Sequence, residues 1–206
     1  MKTFLLCMLF FVNSSIAGLK DQLYAGENVW PVSRLKVDVR ESQLSWHVSK
    51  LTGTHTGTLK VFLGELTVHG KKLTGGYILL DMNSLQVTDL TQPDKQKLET
   101  NLKGDNFFDT GRFSVARFDI SEVNYSTGPD SSQVSIAGNL TLHGIVKPIV
   151  FKAGILKNTG SELIARADVD INRRDWAIAT ANFKYDRFIS PMITLHILLR
   201  ASSGVS

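Results

Sequence analysis

Cysteine is almost absent from this chain, and its absence removes several kinds of chemistry. The single cysteine, Cys7, lies inside an apolar N-terminal run, so the rest of the chain has no thiol and can form no internal disulfide. A lipid-attachment role for Cys7 would need a small residue just before it, and Leu5 and Leu6 precede it instead. We therefore expect a fold that is stabilised without covalent cross-links.

Long apolar runs and catalytic motifs are also missing. The longest apolar run has nine residues, FLLCMLFFV at 4–12, whereas a membrane-spanning helix needs about twenty. The sequence has no G-x-S-x-G, no glycine-rich phosphate loop and no H-E-x-x-H. Its net charge of +4 comes with no basic run interleaved with aromatics. We expect no enzyme, no cofactor, no nucleic-acid partner and no stable membrane insertion.

The N-terminus has the three parts of a secretory signal. A positive start at Lys2 precedes the apolar run, and the small residues of Ser15-Ile16-Ala17 follow it. This order predicts a signal peptide at residues 1–17, cleaved after Ala17, and a periplasmic or secreted protein. Residues 18–34 have mixed composition and are interpreted as an N-terminal arm, followed by one domain at 35–201.

That domain has the period-two alternation of β-strands with one buried face. Alternating apolar residues recur at roughly ten-residue spacing and are separated by turn sequences such as GTHTG at 53–57. Pro93 to Leu102 is the one clear helix candidate. Eight to ten strands with one helix indicate an antiparallel sandwich or closed barrel, and a barrel of about eight strands can hold a small apolar ligand.

The polar residues suggest no strong site. A metal site built from His47, His55 and His196 would require three strands to meet, and a solvated face is the better interpretation of Asp168 and Asp170 than an acid–base pair. No metal site is predicted. What remains is an apolar interior, which is either a filled core or a cavity. Its candidate lining is Trp46, Phe62, Tyr77, Phe107, Phe108, Phe118 and Trp176, with Leu44 and Phe151 beside them.

An ordered set of short motifs across about residues 35–200 resembles the YceI-like family of secreted, lipid-binding barrels. The motifs include SQLSWHVSKLTGTHTG at 42–57, NLKGDNFFD at 101–109, GNLTLHGIVKPIV at 138–150 and INRRDWAI at 171–178. The resemblance implies an eight-stranded antiparallel, lipocalin-like barrel with one short helix. It also implies a long isoprenoid or related apolar chain as ligand, and a role as carrier or store. Some members of the family are dimers, so the resemblance leaves a homodimer open.

The resemblance also assigns individual positions. Phe107 and Phe108 match the family's D-F-F segment at the barrel mouth, with Asn106 in place of its Asp. Arg173 and Trp176 match its R-x-x-(F/W)-G strand, with Ala177 in place of its Gly. An anionic head group could meet Arg112, Lys147 or Arg173. An enzyme acting on a prenyl lipid and a structural barrel with a filled core are the alternatives.

Overall fold

The computed structural model describes residues 30–126, 132–178 and 189–204. The predicted signal peptide and residues 18–29 of the predicted arm lie outside these ranges. Within them, no helix is long and apolar enough to cross a membrane. The described residues from Val32 onward belong to one compact unit.

Nine strands and one α-helix make up the described part of the chain. In chain order they are β1 (Val32–Val37), β2 (Gln43–Lys50), β3 (Gly53–His69), β4 (Lys72–Val87), α1 (Asp94–Lys103), β5 (Val115–Tyr125), β6 (Gln133–Leu142), β7 (Ile145–Asn158), β8 (Glu162–Asn172) and β9 (Ile189–Ser202). A 3₁₀ turn at Arg173–Trp176 follows β8. The helix lies within one residue of its predicted position.

The strands close into an antiparallel barrel. Each strand from β2 to β9 pairs with its neighbours in the chain, and β2 closes the ring by pairing with β9. β1 also lies between β3 and β9, pairing with Leu66 and its neighbours on one side and with Ala201 and Ser202 on the other. β1 and β2 therefore share one of eight wall positions. The predicted eight-stranded antiparallel barrel with one helix is confirmed.

The break between β1 and β2 is a turn held by one carboxylate. Asp38 accepts hydrogen bonds from the backbone N–H groups of Glu41 and Arg40, at 3.0 and 2.9 Å. These two bonds favour the ionised form, and the pKa of Asp38 is lowered. The turn redirects the chain so that β2 can pair with the opposite end of β3.

The alternation predicted from the sequence places every second side chain of a strand inside the barrel. Along β8, the apolar residues at every second position from Leu163 to Ile171 are buried. Leu35 on β1, Val68 on β3 and Val87 on β4 are fully buried as well. One continuous apolar core results, and the polar positions between these residues lie on the outer surface.

β7 carries a proline that its position explains. β7 pairs with β8 from Ala153 to Asn158, and the register given for this strand pair does not include Ile145–Lys152. Pro148 lies in this first half of β7, opposite Asn139 of β6. Since proline has no N–H to donate, it is tolerated where a strand lacks a ladder partner on one side.

Two leucines on adjacent strands test this description of the core. Leu163→Ala, at a fully buried position, should lower the free energy of unfolding by about 2–5 kcal/mol, because it leaves a cavity. Leu156→Ala, at a position that is 61% exposed, should change it by less than about 0.5 kcal/mol. Urea unfolding measures both, and equal losses would contradict the assigned inner and outer faces.

Candidate ligand-binding cavity

One half of the barrel interior is hollow. The cavity has a volume of about 550 Å³, within the range of about 300–1,000 Å³ that is common for ligand sites. Side chains from β2, β3, β4, α1, β5, β6, β9 and the 3₁₀ turn line it, together with the segment that follows α1. Leu51, at the turn between β2 and β3, also lines it and is 78% exposed, so the cavity reaches the surface there.

The cavity wall is apolar because of strand periodicity. Trp46 and Val48 on β2 point inward with one residue between them, as do Leu80 and Met82 on β4. The helix adds two more apolar residues that are four positions apart, Leu98 and Leu102. These leucines are half-buried, and α1 has no fully buried residue. The helix therefore acts as a cover on the cavity and not as part of the filled core.

The two adjacent phenylalanines both line the cavity. Phe107 N–H donates to the carbonyl of Gly104 and Phe108 N–H to that of Leu102, at 3.0 and 3.1 Å. The backbone then turns at Asp109, whose φ of 44° lies in the left-handed region. In a strand the two rings would face opposite sides, but this turn directs both to one side.

Trp46 depends on a glycine across the strand pair. Its partner in register is Gly57, where a Cβ would lie 2.2 Å from Cζ2 of the indole and 1.9 Å from the Gln86 carbonyl oxygen. Trp46 is 7% exposed, and its Nε1 is buried without a hydrogen-bond partner in the described part of the structure. Gly57 thus provides the space that lets a large ring lie flat against the wall.

Two residues predicted to line the cavity lie on the outer face, which corrects the sequence-based expectation. Phe62 is 60% exposed, because the inward positions in this part of β3 are Leu59 and Val61, which alternate with outward positions. Tyr77 alternates with the inward-facing Ile78 and packs beneath the guanidinium of Arg117, 4.6 Å from its ring centre. Aromatic character suggested an interior position for both, but the parity of each strand decides otherwise.

Phe118 and Trp176 are interior but lie outside this cavity. Phe118 packs on Phe151, with ring centres 5.5 Å apart, beside a smaller space of about 100 Å³ in the other half of the barrel. Leu44 borders the same small space. Trp176 is fully buried, and its Nε1 donates to the Leu140 carbonyl at 3.1 Å. Trp176 therefore anchors the 3₁₀ turn to β6.

Of the three predicted head-group residues, Arg173 borders the cavity. Its side chain is buried, and its guanidinium donates to the carbonyls of Ile178, Ile189 and Ser190 at 3.0–3.2 Å. Arg112 is exposed and lies 3.4 Å from the Asp109 carboxylate, and Lys147 is exposed on β7. Neither Arg112 nor Lys147 is part of the cavity lining, and their predicted role toward a head group stays a prediction.

The sequence analysis missed a polar cluster at the cavity's open end. His55 lines the cavity, with Nε2 2.7 Å from Lys50 Nζ and Nδ1 2.7 Å from Asp89 Oδ2. Asp89 also accepts the Thr56 N–H at 2.9 Å. Burial raises the pKa of Asp89, but the bonds from Thr56 and His55 outweigh it and the pKa is lowered. Period-two counting from Trp46 would have placed Lys50 inside.

The other histidines considered from the sequence do not join this cluster. His47 and His196 are on strand faces opposite to the cavity lining, while His55 faces inward. His196 Nδ1 lies 2.7 Å from Asp168, and Asp170 accepts a hydrogen bond from Thr194. No group of three metal-ligating side chains occurs among the residues that the structure describes.

An eight-stranded antiparallel barrel with one helix and an apolar internal cavity defines a lipocalin-like barrel. The model of the YceI-like domain family matches residues 35–201 of this chain, and the protein belongs to that family.

Two curated proteins are similar to this chain in sequence. A UPF0312 protein of Pseudomonas putida strain W619 is 28% identical over 133 residues, 64% of this chain and 65% of the relative. Protein YceI of Escherichia coli O6:H1 is 29% identical over 101 residues, 48% of each chain. The chain thus spans slightly less than two thirds of the first relative's length and about half of the second's.

Solved structures share the fold at low identity. BcnA from Burkholderia cenocepacia has a TM-score of 0.69 and 18% identity, covering 81% of this chain and 99% of BcnA. A polyisoprenoid binding domain from Saccharophagus degradans has a TM-score of 0.64 and 17% identity, covering 84% of this chain and all of that domain. At such identities the likeness shows the fold.

The glycine opposite Trp46 gives a test of the cavity wall. Gly57→Ala should lower the free energy of unfolding by about 1–3 kcal/mol, because the added methyl overlaps the indole and a carbonyl oxygen. Gly75→Ala is the matched control on β4, since its Cβ would lie 4.0 Å from the nearest atom. Thermal unfolding and tryptophan fluorescence compare the two. Equal stability of both variants would contradict the close approach at Gly57.

The lowered pKa of Asp89 predicts a pH-dependent contribution to stability. The ionised carboxylate stabilises the fold above its ordinary pKa of 3.8, and this contribution disappears as the pH falls through the lower folded value. Asp89→Asn should therefore be less stable than the wild type at neutral pH, and the difference should shrink below pH 3.8. Asp105→Asn, at an exposed carboxylate outside the cluster, is the control. Urea titrations at several pH values measure this, and a gap that persists in acid would refute the assignment.

Proposed function

We propose that this protein binds a long apolar lipid, polyisoprenoid or fatty-acid-like, inside the barrel and acts as its carrier or store. The observation that carries the proposal is an apolar cavity of about 550 Å³ that reaches the surface at Leu51. The signal-like residues 1–17 support a periplasmic or secreted site of action.

The energetics of burial support binding without extensive polar recognition. Each methylene transferred from water into an apolar site contributes about 0.8 kcal/mol, so ten carbons contribute roughly 8 kcal/mol before the costs of association. Association costs at least about 4 kcal/mol, which leaves about 4 kcal/mol and millimolar affinity for ten carbons, so micromolar binding needs roughly fifteen buried carbons. A chain held mainly by apolar contacts can be released again, as a carrier requires.

The related structures agree with such a ligand. The Saccharophagus degradans domain is described as polyisoprenoid binding, and it shares the barrel fold with this chain. Its ligand class is therefore the first to test here.

The two alternatives are less well supported by the cavity. An enzyme acting on a prenyl lipid would need an acid and a base facing the substrate. In the described lining the titratable side chains besides Arg173 are Lys50 and His55, which are hydrogen-bonded to each other, and His55 is also held by Asp89. A structural barrel with a filled core would leave little interior space. Side chains do fill the half of the barrel around Phe118 and Phe151, where a space of about 100 Å³ remains. The other half contains the cavity of about 550 Å³.

A matched pair of phenylalanine variants tests the proposal. Phe108→Asp places a charge in the cavity lining and should lower lipid retention at least tenfold, because a buried unpaired carboxylate is costly. Phe62→Asp, on the outer face, should retain lipid like the wild type. Native mass spectrometry of protein purified from its own host measures retained lipid, and circular dichroism checks the fold.

The same mass spectra test the proposed signal peptide. A measured mass that corresponds to a chain starting at residue 18 would support its cleavage after Ala17. Absence of any retained lipid in the wild type, with added lipids also failing to bind, would overturn the proposed function.

A further inference from the structure

The inner face of the barrel changes from apolar to polar at the open end of the cavity. On β2, Trp46 and Val48 are followed at the next inward position by Lys50, the last residue of the strand. On β3, His55 lies opposite Val48 in register and also lines the cavity. The side chains that first meet solvent at this end therefore include a cation and an imidazole.

Hydrogen bonds fix the tautomer of His55 and the position of the Lys50 ammonium. Lys50 is a donor, so His55 Nε2 must accept from it, and Nδ1–H then donates to Asp89. Asp89 is in turn held by the Thr56 N–H. His55 and Asp89 act as positioning residues, because they fix where the ammonium lies. An ammonium has three N–H donors, and the contact with His55 uses one of them.

The charge of the lining is unbalanced. Among the residues that border the cavity in the described structure, Lys50 and Arg173 are cations and none is a carboxylate. Both cations lie at the same end, because Ile189 is the register partner of Lys50 and its carbonyl accepts from Arg173 Nη2. The guanidinium is held by backbone carbonyls, so it contributes a fixed positive charge, while the ammonium remains able to turn toward a ligand.

We propose that Lys50, positioned by His55 and Asp89, binds the anionic head group of a lipid, a phosphate or carboxylate, whose chain occupies the cavity. This inference rests on the proposed lipid-binding function and specifies its ligand class. An apolar chain extending from Leu80 and Met82 toward the surface passes Lys50 as it leaves the barrel. A charge-assisted hydrogen bond there is stronger than a neutral one and selects an acid over an alcohol of the same chain.

Three ligands with one chain and different head groups test the proposal. Farnesyl phosphate, farnesoic acid and farnesol are titrated into the purified full chain, with Trp46 fluorescence and calorimetry as readouts. The wild type should bind the phosphate and the carboxylate about tenfold more tightly than the alcohol at low salt. That preference should weaken as salt is added, because part of the interaction is screened at the open end of the cavity.

Lys50→Gln should remove the preference for the phosphate and the carboxylate over the alcohol, because the amide carries no charge. Lys50→Arg should preserve it, which separates loss of charge from damage to the fold. Lys36→Gln, at an exposed lysine on β1, is the matched control and should behave like the wild type.

The other outcomes overturn specific parts of the account. Equal binding of all three farnesyl compounds, or a preference that survives in Lys50→Gln, would refute the head-group site and leave lipid binding intact. Failure of all three to bind would overturn the proposed function itself. Inorganic phosphate that binds as tightly as farnesyl phosphate would indicate a site for the free anion and would also refute the lipid head-group proposal.

Discussion

Closure of the barrel is the constraint on which the rest of the structure depends. Once eight strand positions are joined in a ring, the interior volume is set, and every second side chain must either fill it or line it. In one half, Phe118, Phe151 and the aliphatic residues around them fill the space almost completely. In the other half the inward residues leave about 550 Å³ empty, and α1 with its following turn covers part of the opening.

Much of the fold could be predicted from the sequence, because it depends on local patterns. Alternation gave the strands, Pro93 indicated the start of the helix, and the spacing of turns indicated an antiparallel barrel. The break between β1 and β2 was harder to see, since it depends on Asp38 binding two backbone N–H groups and on β1 and β2 sharing one wall position. Such pairing is a property of the closed ring and has no local signature.

The site was less predictable, for two different reasons. Phe62 and Tyr77 were assigned to the interior by their size, although strand parity places them outside. Parity also places Lys50 inside, but its link through His55 to Asp89 joins the β2–β3 hairpin to the residues after β4, and His55 and Asp89 are 34 positions apart in the chain. The cavity is thus best described as apolar with a positively charged end, and we propose that this asymmetry orients an amphiphilic ligand within it.

The central claim is that an apolar chain enters the cavity beside Trp46, and fluorescence quenching by a brominated lipid chain measures this most directly. Bromine quenches an indole at close contact, so a brominated acyl chain should quench a large part of the wild-type emission. The quenching should be mostly lost in Trp46→Phe, because neither of the other two tryptophans, Trp30 and Trp176, is among the residues that line the cavity. Saturating lipid without quenching, or quenching that is unchanged in Trp46→Phe, would contradict the account.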